Sequence, residues 1–161
     1  MNHDDRMAAV IAHFEPALQH QDYKIRARAR RAVLAAQKGG RCEQLGCTNE
    51  IHDFSDFGRD APRDNRFEFD HLQPVDRFEY SDVTGLKQFR ISGNDCARRK
   101  WQTVRRHALQ DTQLLCRECH YQYNKQREEW RLRSEGYRAA VAMTNEYGQQ
   151  VVPPSLQRML Q

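Results

Sequence analysis

Two cysteine pairs constrain this chain more than any other feature. Cys42 and Cys47 are separated by four residues, with Gly46 permitting a tight knuckle between them; Cys116 and Cys119 are separated by two. Thiolates are soft ligands that suit a tetrahedral zinc site, and a closed four-sulfur shell leaves no position for substrate. The interval from residue 48 to residue 115 is too long for a zinc-finger repeat, so one shared Zn2+ would tie two distant points of the chain together. The alternative is four unbridged buried thiols. The start of the sequence, Met1 to Met7, is acidic and polar rather than a secretory signal, so metal binding is expected over disulfides, in a reducing, cytoplasmic setting. The fifth cysteine, Cys96, is expected to be simply buried.

A metal staple matters because the core is small. The chain has 161 residues with 39% hydrophobic and 30% charged side chains, and only seven Phe and two Trp. That is one domain by size with appended helices, and small cores of this kind gain from a bound metal. No apolar run approaches the ~20 residues of a membrane span. A net charge of +4 is mild, but its distribution is uneven. Arg26, Arg28, Arg30 and Arg31 cluster, as do Arg98, Arg99, Lys100, Arg105 and Arg106, while acidic residues concentrate between Glu50 and Asp82. Basic patches around an acidic centre fit a nucleic-acid enzyme: the patches attract the backbone and the carboxylates hold metal. For either patch alone, a solvated helix face explains the charges equally well.

The periodicities divide the chain into segments. Residues 1–40 form an N-terminal helical extension. Met7, Val10, Ile11, Phe14 and Leu18 mark a helix over 4–20, kinked or ended near Pro16. Asp22 caps a second helix to Gln37, stopped by Gly39-Gly40, with Ile25, Ala29, Ala32, Val33 and Ala36 as its apolar stripe. Residues 48–66 are loop-like, with Phe54 and Phe57 as pins. From Arg66 to His71 the pattern alternates, Phe67 and Phe69 on one face and Glu68 and Asp70 on the other, which predicts a short strand stopped by Pro74. Residues 76–109 read as a basic insertion. It holds a strand or hairpin over 76–93, with turns at Thr84-Gly85 and Ser92-Gly93, then a helix over 95–109 capped by Asn94. Ala97, Trp101, Val104 and Ala108 are its apolar face, and Trp101 is expected in the core. Gln113 to Leu115 form a second strand. A helix from Glu118 through Trp130 comes next, with a C-terminal helix and tail over 129–161.

The chemistry gathers at the second strand's exit and the first strand's end. On a helix, His120 and Asn124 share a face, and imidazole nitrogen and amide oxygen can both ligate a metal. Asp70 adds a charged oxygen. Three mixed ligands with open positions are the pattern of a catalytic site, suited to Mg2+ or Mn2+ as well as softer ions. His71 follows Asp70 directly, so on a strand their side chains diverge. That arrangement suits in-line phosphoryl transfer, with neutral imidazole taking a proton from water opposite the leaving oxygen. His3, His13, His20, His52 and His107 are read as structural.

Around Asp70-His71-x-x-Pro74 and Leu115-Cys116-x-x-Cys119-His120, the sequence resembles the HNH endonucleases, many of which also carry a preceding cysteine pair. The resemblance spans about residues 41–125. It implies an α+β fold: a ββα-metal core over 41–128 with structural zinc, flanked by N-terminal and C-terminal helices. It implies His71 as general base, and Asp70, His120 and Asn124 at one divalent ion. The family's usual Asn, which braces the loop holding the base, stands here as Asp111; Asn94 is a second candidate for that brace. Arg98, Arg99, Lys100, Arg105, Arg106, Lys125 and Arg127 are the expected DNA contacts, Lys125 and Arg127 as holders of flanking phosphates. The expectation is a DNA-cutting or DNA-nicking hydrolase of phage or mobile-element size, monomeric or homodimeric, with no membrane partner. The rival is a non-catalytic zinc-containing DNA-binding module on the same scaffold.

Overall fold

A computed structural model of the chain describes residues 1–72, 91 and 94–126, residues 94 and 95 in their backbone only. The chain divides into two compact units, Met1–His120 and Tyr121–Gln161. The first is of mixed α+β type, with a small antiparallel sheet of two strands among its described residues. The expected hairpin over 76–93 lies outside the described residues except at Ile91, and the helix beyond residue 126 and the tail lie wholly outside them. Among the described residues no helix is long and apolar enough to cross a membrane.

Helix α1, His3–Phe14, begins where the Asn2 side chain accepts the Asp5 amide at 2.7 Å, with Asp4 and Asp5 in its positive first turn. It is shorter than the expected 4–20. Pro16 falls in the single 3-10 turn that comes after it, Glu15–Ala17, where its missing N–H costs nothing. Helix α2, Tyr23–Gln37, starts at the expected cap: Asp22 accepts the amides of Lys24 (2.8 Å) and Ile25 (3.4 Å). It ends at Gly39 and Gly40, both left-handed, with the Gly40 amide on the Ala35 carbonyl at 2.8 Å. Gly40 is doubly required, because a Cβ there would lie 2.7 Å from the Phe54 ring and 2.8 Å from the Met7 sulfur.

Helix α2 is the hub of the first unit. From Ala32 to Ala36 every side chain is buried. The expected stripe holds except at Ile25, which is exposed, while Arg30 is 2% exposed. Arg30 is held there through its donors. Its Nε–H serves the Leu18 carbonyl at 2.8 Å, and Nη1 serves Cys96 (2.8 Å) and Arg99 (2.7 Å). Its Nη2 reaches Gln19 Oε1 at 3.1 Å, and the guanidinium lies 5.7 Å from the Trp101 ring centroid. A buried cation is tolerated when its protons are met in this way. Arg26 adds a bond from Nε to the Ala97 carbonyl at 2.9 Å. These two arginines therefore stitch α2 to residues 96–99; they form no solvated face.

That stitching also corrects the expected single helix over 95–109. The chain forms α3, Asn94–Arg98, and then α4, Trp101–Asp111. A continuous helix would offer the Cys96 carbonyl to the amide of residue 100; here Arg30 takes it, and Lys100 is extended. The apolar face is as expected. Cys96, Val104 and Ala108 pack with Leu34 and Ile91, and Trp101 and Phe69 close over them. The stretch read as an insertion thus supplies most of this core.

Strands β1, Phe67–His71, and β2, Thr112–Cys116, pair antiparallel from Phe67↔Cys116 through Phe69↔Leu114 to His71↔Thr112. Backbone bonds extend the ribbon at both ends: Arg117 amide to Arg66 carbonyl at 2.9 Å, and Leu72 amide to Asp111 carbonyl at 3.0 Å. Residues 117–126, here α5, are helical. The loop ahead of β1 is ordered by one side chain. Asn65 accepts the amides of His52 (2.7 Å) and Asp53 (3.3 Å) and donates to the carbonyls of Asp53 (2.9 Å) and Asp56 (2.8 Å). All four hydrogen-bonding positions of its amide are used, and Phe54 and Phe57 are buried as the expected pins.

Candidate metal centre and imidazole cluster

The first cysteine pair sits on a knuckle. Gly46 is left-handed (φ 83°), the Cys47 amide meets the Gln44 carbonyl at 3.0 Å, and the Cys42 amide meets the Asn49 carbonyl at 2.9 Å. An isolated bridge, Arg41↔Glu50, closes its base. The knuckle docks on β2: the Glu43 amide donates to the Leu114 carbonyl at 2.8 Å, and the Glu43 carboxylate accepts the Leu114 amide. Cys116 ends β2, and Cys119 lies in the first turn of α5.

The four sulfurs of Cys42, Cys47, Cys116 and Cys119 lie within 4.8 Å of one another, with Cys47 and Cys116 at 3.9 Å. Four thiolates on one zinc, with bonds of ~2.3 Å, stand about 3.8 Å apart. A disulfide needs ~2.05 Å, and all four are free thiols. The donor set and spacing fit a metal such as zinc. N–H groups serve the sulfurs, among them the Cys116 amide on Cys42 Sγ and the Asn49 side-chain amide on Cys116 Sγ, each at 3.3 Å. Burial pushes the Cys42 and Cys119 thiols up. Burial acts the same way on Cys116, but hydrogen bonds led by the Asn49 amide outweigh it and hold that thiol low. Neighbouring thiols cannot all ionise side by side unless a cation compensates them, which is what a divalent ion supplies. With four sulfurs around it, such an ion has no open position.

The second cluster gathers along β1. As the alternation predicts, Glu68 and Asp70 face one way. His120 Nε2 comes within 3.7 Å of Asp70 Oδ1 and 3.6 Å of Glu68 Oε2. His71 goes the other way, toward α4, where its Nε2 lies 3.1 Å from Nε2 of His107. His107 Nδ1 in turn lies 2.9 Å from Asp111 Oδ2. His107 is buried; Asp111 is exposed.

Asp70 and His120 are therefore brought together, while His71 turns to the other side of the strand. Asn124 is an exposed residue one turn further along α5, in the second unit, as is exposed Lys125; Arg127 lies outside the described residues. Asp111 does brace the chain after the Asp-His pair, but through its main-chain carbonyl, which any residue would provide. Its carboxylate is used on His107 instead. The side chain of Asn94 lies outside the described residues. Sequence reasoning missed two residues here. Glu68 was legible from its shared strand face with Asp70. His107 carried no signal: a lone histidine on an amphipathic helix looks like any other.

The basic residues fall into two groups. Arg98, Arg99 and Lys100 line a cavity of about 510 Å³ together with Gln19, Arg26 and Trp101. Arg105 and Arg106 line another of about 510 Å³ with Glu15, Val33 and Gln37, and Arg105 Nε donates to Gln37 Oε1 at 3.3 Å. Arg98, Lys100, Arg105 and Arg106 are exposed; Arg99 is half-buried.

No family model, no curated protein and no solved structure matches the chain.

Proposed function

We propose that this chain is a metal-dependent DNA endonuclease with an HNH-type ββα-metal core stapled by structural zinc. The observation that carries the reading is the approach of His120, from the helix after β2, to within 3.7 Å of Asp70 at the end of β1, with His71 next in sequence. Donors to one ion with bonds of ~2.0–2.3 Å stand about 3–4 Å apart, so the Asp70–His120 spacing fits a pair of ligands to a divalent ion, with Glu68 also beside His120 at 3.6 Å. Mg2+ or Mn2+ held there would offset the charge that develops on the scissile phosphate.

The chain's own residues supply the rest. His71 takes a proton from water. The water oxygen forms its bond to phosphorus as the bond from phosphorus to the 3′ oxygen breaks, and that oxygen acquires a proton from solvent. The products carry 5′-phosphate and 3′-hydroxyl ends. A general base of this kind contributes ~10²–10⁴-fold. Arg98, Lys100, Arg105 and Arg106 are exposed cations suited to flanking phosphates.

The test is conversion of supercoiled plasmid to nicked or linear DNA with Mg2+ or Mn2+, beside His71→Ala. Conversion by the wild type alone supports the reading. Equal conversion by both proteins removes His71 as the base. DNA binding without conversion under either metal supports the rival, a zinc-containing DNA-binding module. The observation favouring that rival is that the Asp111 side chain is engaged on His107, not on the loop that a family Asn would brace.

A further inference from the structure

Helix α2 carries four arginines between residues 26 and 31, and they part by what they touch. Arg26 and Arg30 direct their donors to backbone carbonyls. Arg28 and Arg31 make no side-chain hydrogen bond or ion pair with any of the described residues. They line a cavity of about 960 Å³ whose other walls are residues 54–60 and β1. Arg31 is half-buried, and its Nη1 stands 3.5 Å from where a Gly58 Cβ would lie, so the guanidinium reaches across to the loop. Burial holds its pKa below the usual guanidinium value, and the Arg28 charge acts the same way. Asp56 is near enough to favour the charge yet forms no ion pair with it. A partly desolvated cation beside a like charge costs stability unless a ligand offsets it. The rest of the lining limits what that ligand is. Arg28, Arg31 and Arg59 share the cavity with Asp56, Asp60 and Glu68, three charges of each sign. A lining without net charge is poor for a bare anion and suits a molecule with both acceptors and N–H donors. Phe69 adds a half-buried ring, which Phe57 meets edge-on at 6.4 Å and 61°.

An anionic group, N–H donors, acceptors and a flat aromatic face belong together in a nucleotide. We infer that this cavity binds one unpaired nucleotide of a DNA strand, its phosphate on Arg28 and Arg31 and its base beside Phe69, with base N–H groups toward Asp56 and Asp60. Ligand pockets run to ~300–1,000 Å³, so a nucleotide has room here. The cavity also adjoins the candidate site, because Glu68 lines it and lies 3.6 Å from His120. Glu68 and Asp70 are two strand steps apart, about 7 Å, which is two nucleotide rises of ~3.4 Å. What that closeness means, an unpaired nucleotide held beside the scissile phosphate, rests on the nuclease reading; the binding is tested without it.

The experiment uses the full chain purified with zinc, without added Mg2+ or Mn2+, and measures binding to fluorescent DNA duplexes by anisotropy. One duplex is fully paired, one carries a single bulged nucleotide, and one carries an abasic residue in the bulge. The wild type should bind the bulged nucleotide about tenfold more tightly than it binds either of the others. Arg31→Ala should bring the bulged duplex to the level of the paired one and should not lower the melting temperature, since no contact within the described residues is lost. Arg28 is exposed, so Arg28→Ala tests the point even if Arg31→Ala fails to fold. Arg98→Ala, outside the cavity, should weaken all three duplexes alike. Equal binding of the bulged and paired duplexes by the wild type overturns the inference. So does an abasic bulge bound as tightly as the base, or a preference that survives in both Arg28→Ala and Arg31→Ala. A wild type that prefers the bulge but converts no plasmid under either metal keeps the nucleotide cavity and removes the nuclease reading alone. Conversion of plasmid without the preference does the reverse.

Discussion

At one end of the β1–β2 ribbon, Cys116 opposes Phe67 and joins three other thiols; at the other, His71 opposes Thr112 and meets a second imidazole. Four steps of ~3.4 Å along five residues put these ends about 14 Å apart. The sulfur end is closed and uniform in its donors. Its knuckle, its strand end and its helix start each bring thiols that could hold one ion. The imidazole end mixes nitrogen and oxygen donors, and its side chains are held by hydrogen bonds within the protein. The first arrangement suits stability and the second suits chemistry. Perturbing each end in turn should therefore give different phenotypes.

The largest effect is expected at the sulfur end. Cys42→Ser should lose bound zinc, measured by elemental analysis, and with it the cooperative unfolding of residues 1–120. Structural zinc contributes on the order of 10 kcal/mol to small metal-stapled folds. A chelator should do the same to the wild type. Next comes the imidazole end. His71→Ala should cut plasmid conversion ~10²–10⁴-fold while leaving the melting temperature where it was. Should Cys42→Ser retain its melting temperature, or His71→Ala lose it, the contrast between the ends is wrong.

Asn65 sharpens the comparison, since it feeds β1 from the sulfur side without touching sulfur. Asn65→Ala should cost about 2–4 kcal/mol in urea unfolding, because four backbone groups lose their partner at once. Its zinc content should be unchanged. The fifth cysteine is the control for what a thiol does when no ion compensates it. Burial pushes Cys96 up to about 11, partly offset by Arg30 and Arg31. The folded state thus favours the neutral thiol. Its contribution is intact below the ordinary thiol range near pH 9 and is lost as pH rises through 11. Relative to Cys96→Ala, the wild type should lose about 2–3 kcal/mol across that window in chemical denaturation. The smallest effect is expected at Glu68. Glu68→Gln should weaken Mn2+ binding about tenfold by calorimetry, with no change in stability, since the side chain is exposed.

Legibility in the sequence depended on how local the cause was. The paired cysteines, the Asp22 cap, the glycine stop after Gln37 and the alternation from Phe67 were readable because each depends on near neighbours. Arg30 was not, because its acceptors lie up to 69 residues away and turn a surface-type residue into a buried one. The same distant contacts split α3 from α4 against a continuous apolar pattern. Asn65 looked like one more turn-former among many; only the folded loop distinguishes it. At the candidate site, Asp70, His71 and His120 were singled out through their motif context. His107 has no motif, and its contact with His71 comes wholly from where α4 delivers it.

The ribbon has one further implication. Side chains along a strand change sides at every step, so its pairing behaves like a reading frame. One residue added between Phe67 and Asp70, with the Phe67–Cys116 end holding its register, would turn Asp70 away from His120, while Cys116 would keep its fellow thiols because the knuckle docks on β2 itself. Substitution can retune either end of this ribbon, but an insertion in β1 would break the carboxylate–imidazole end and leave the sulfur end standing.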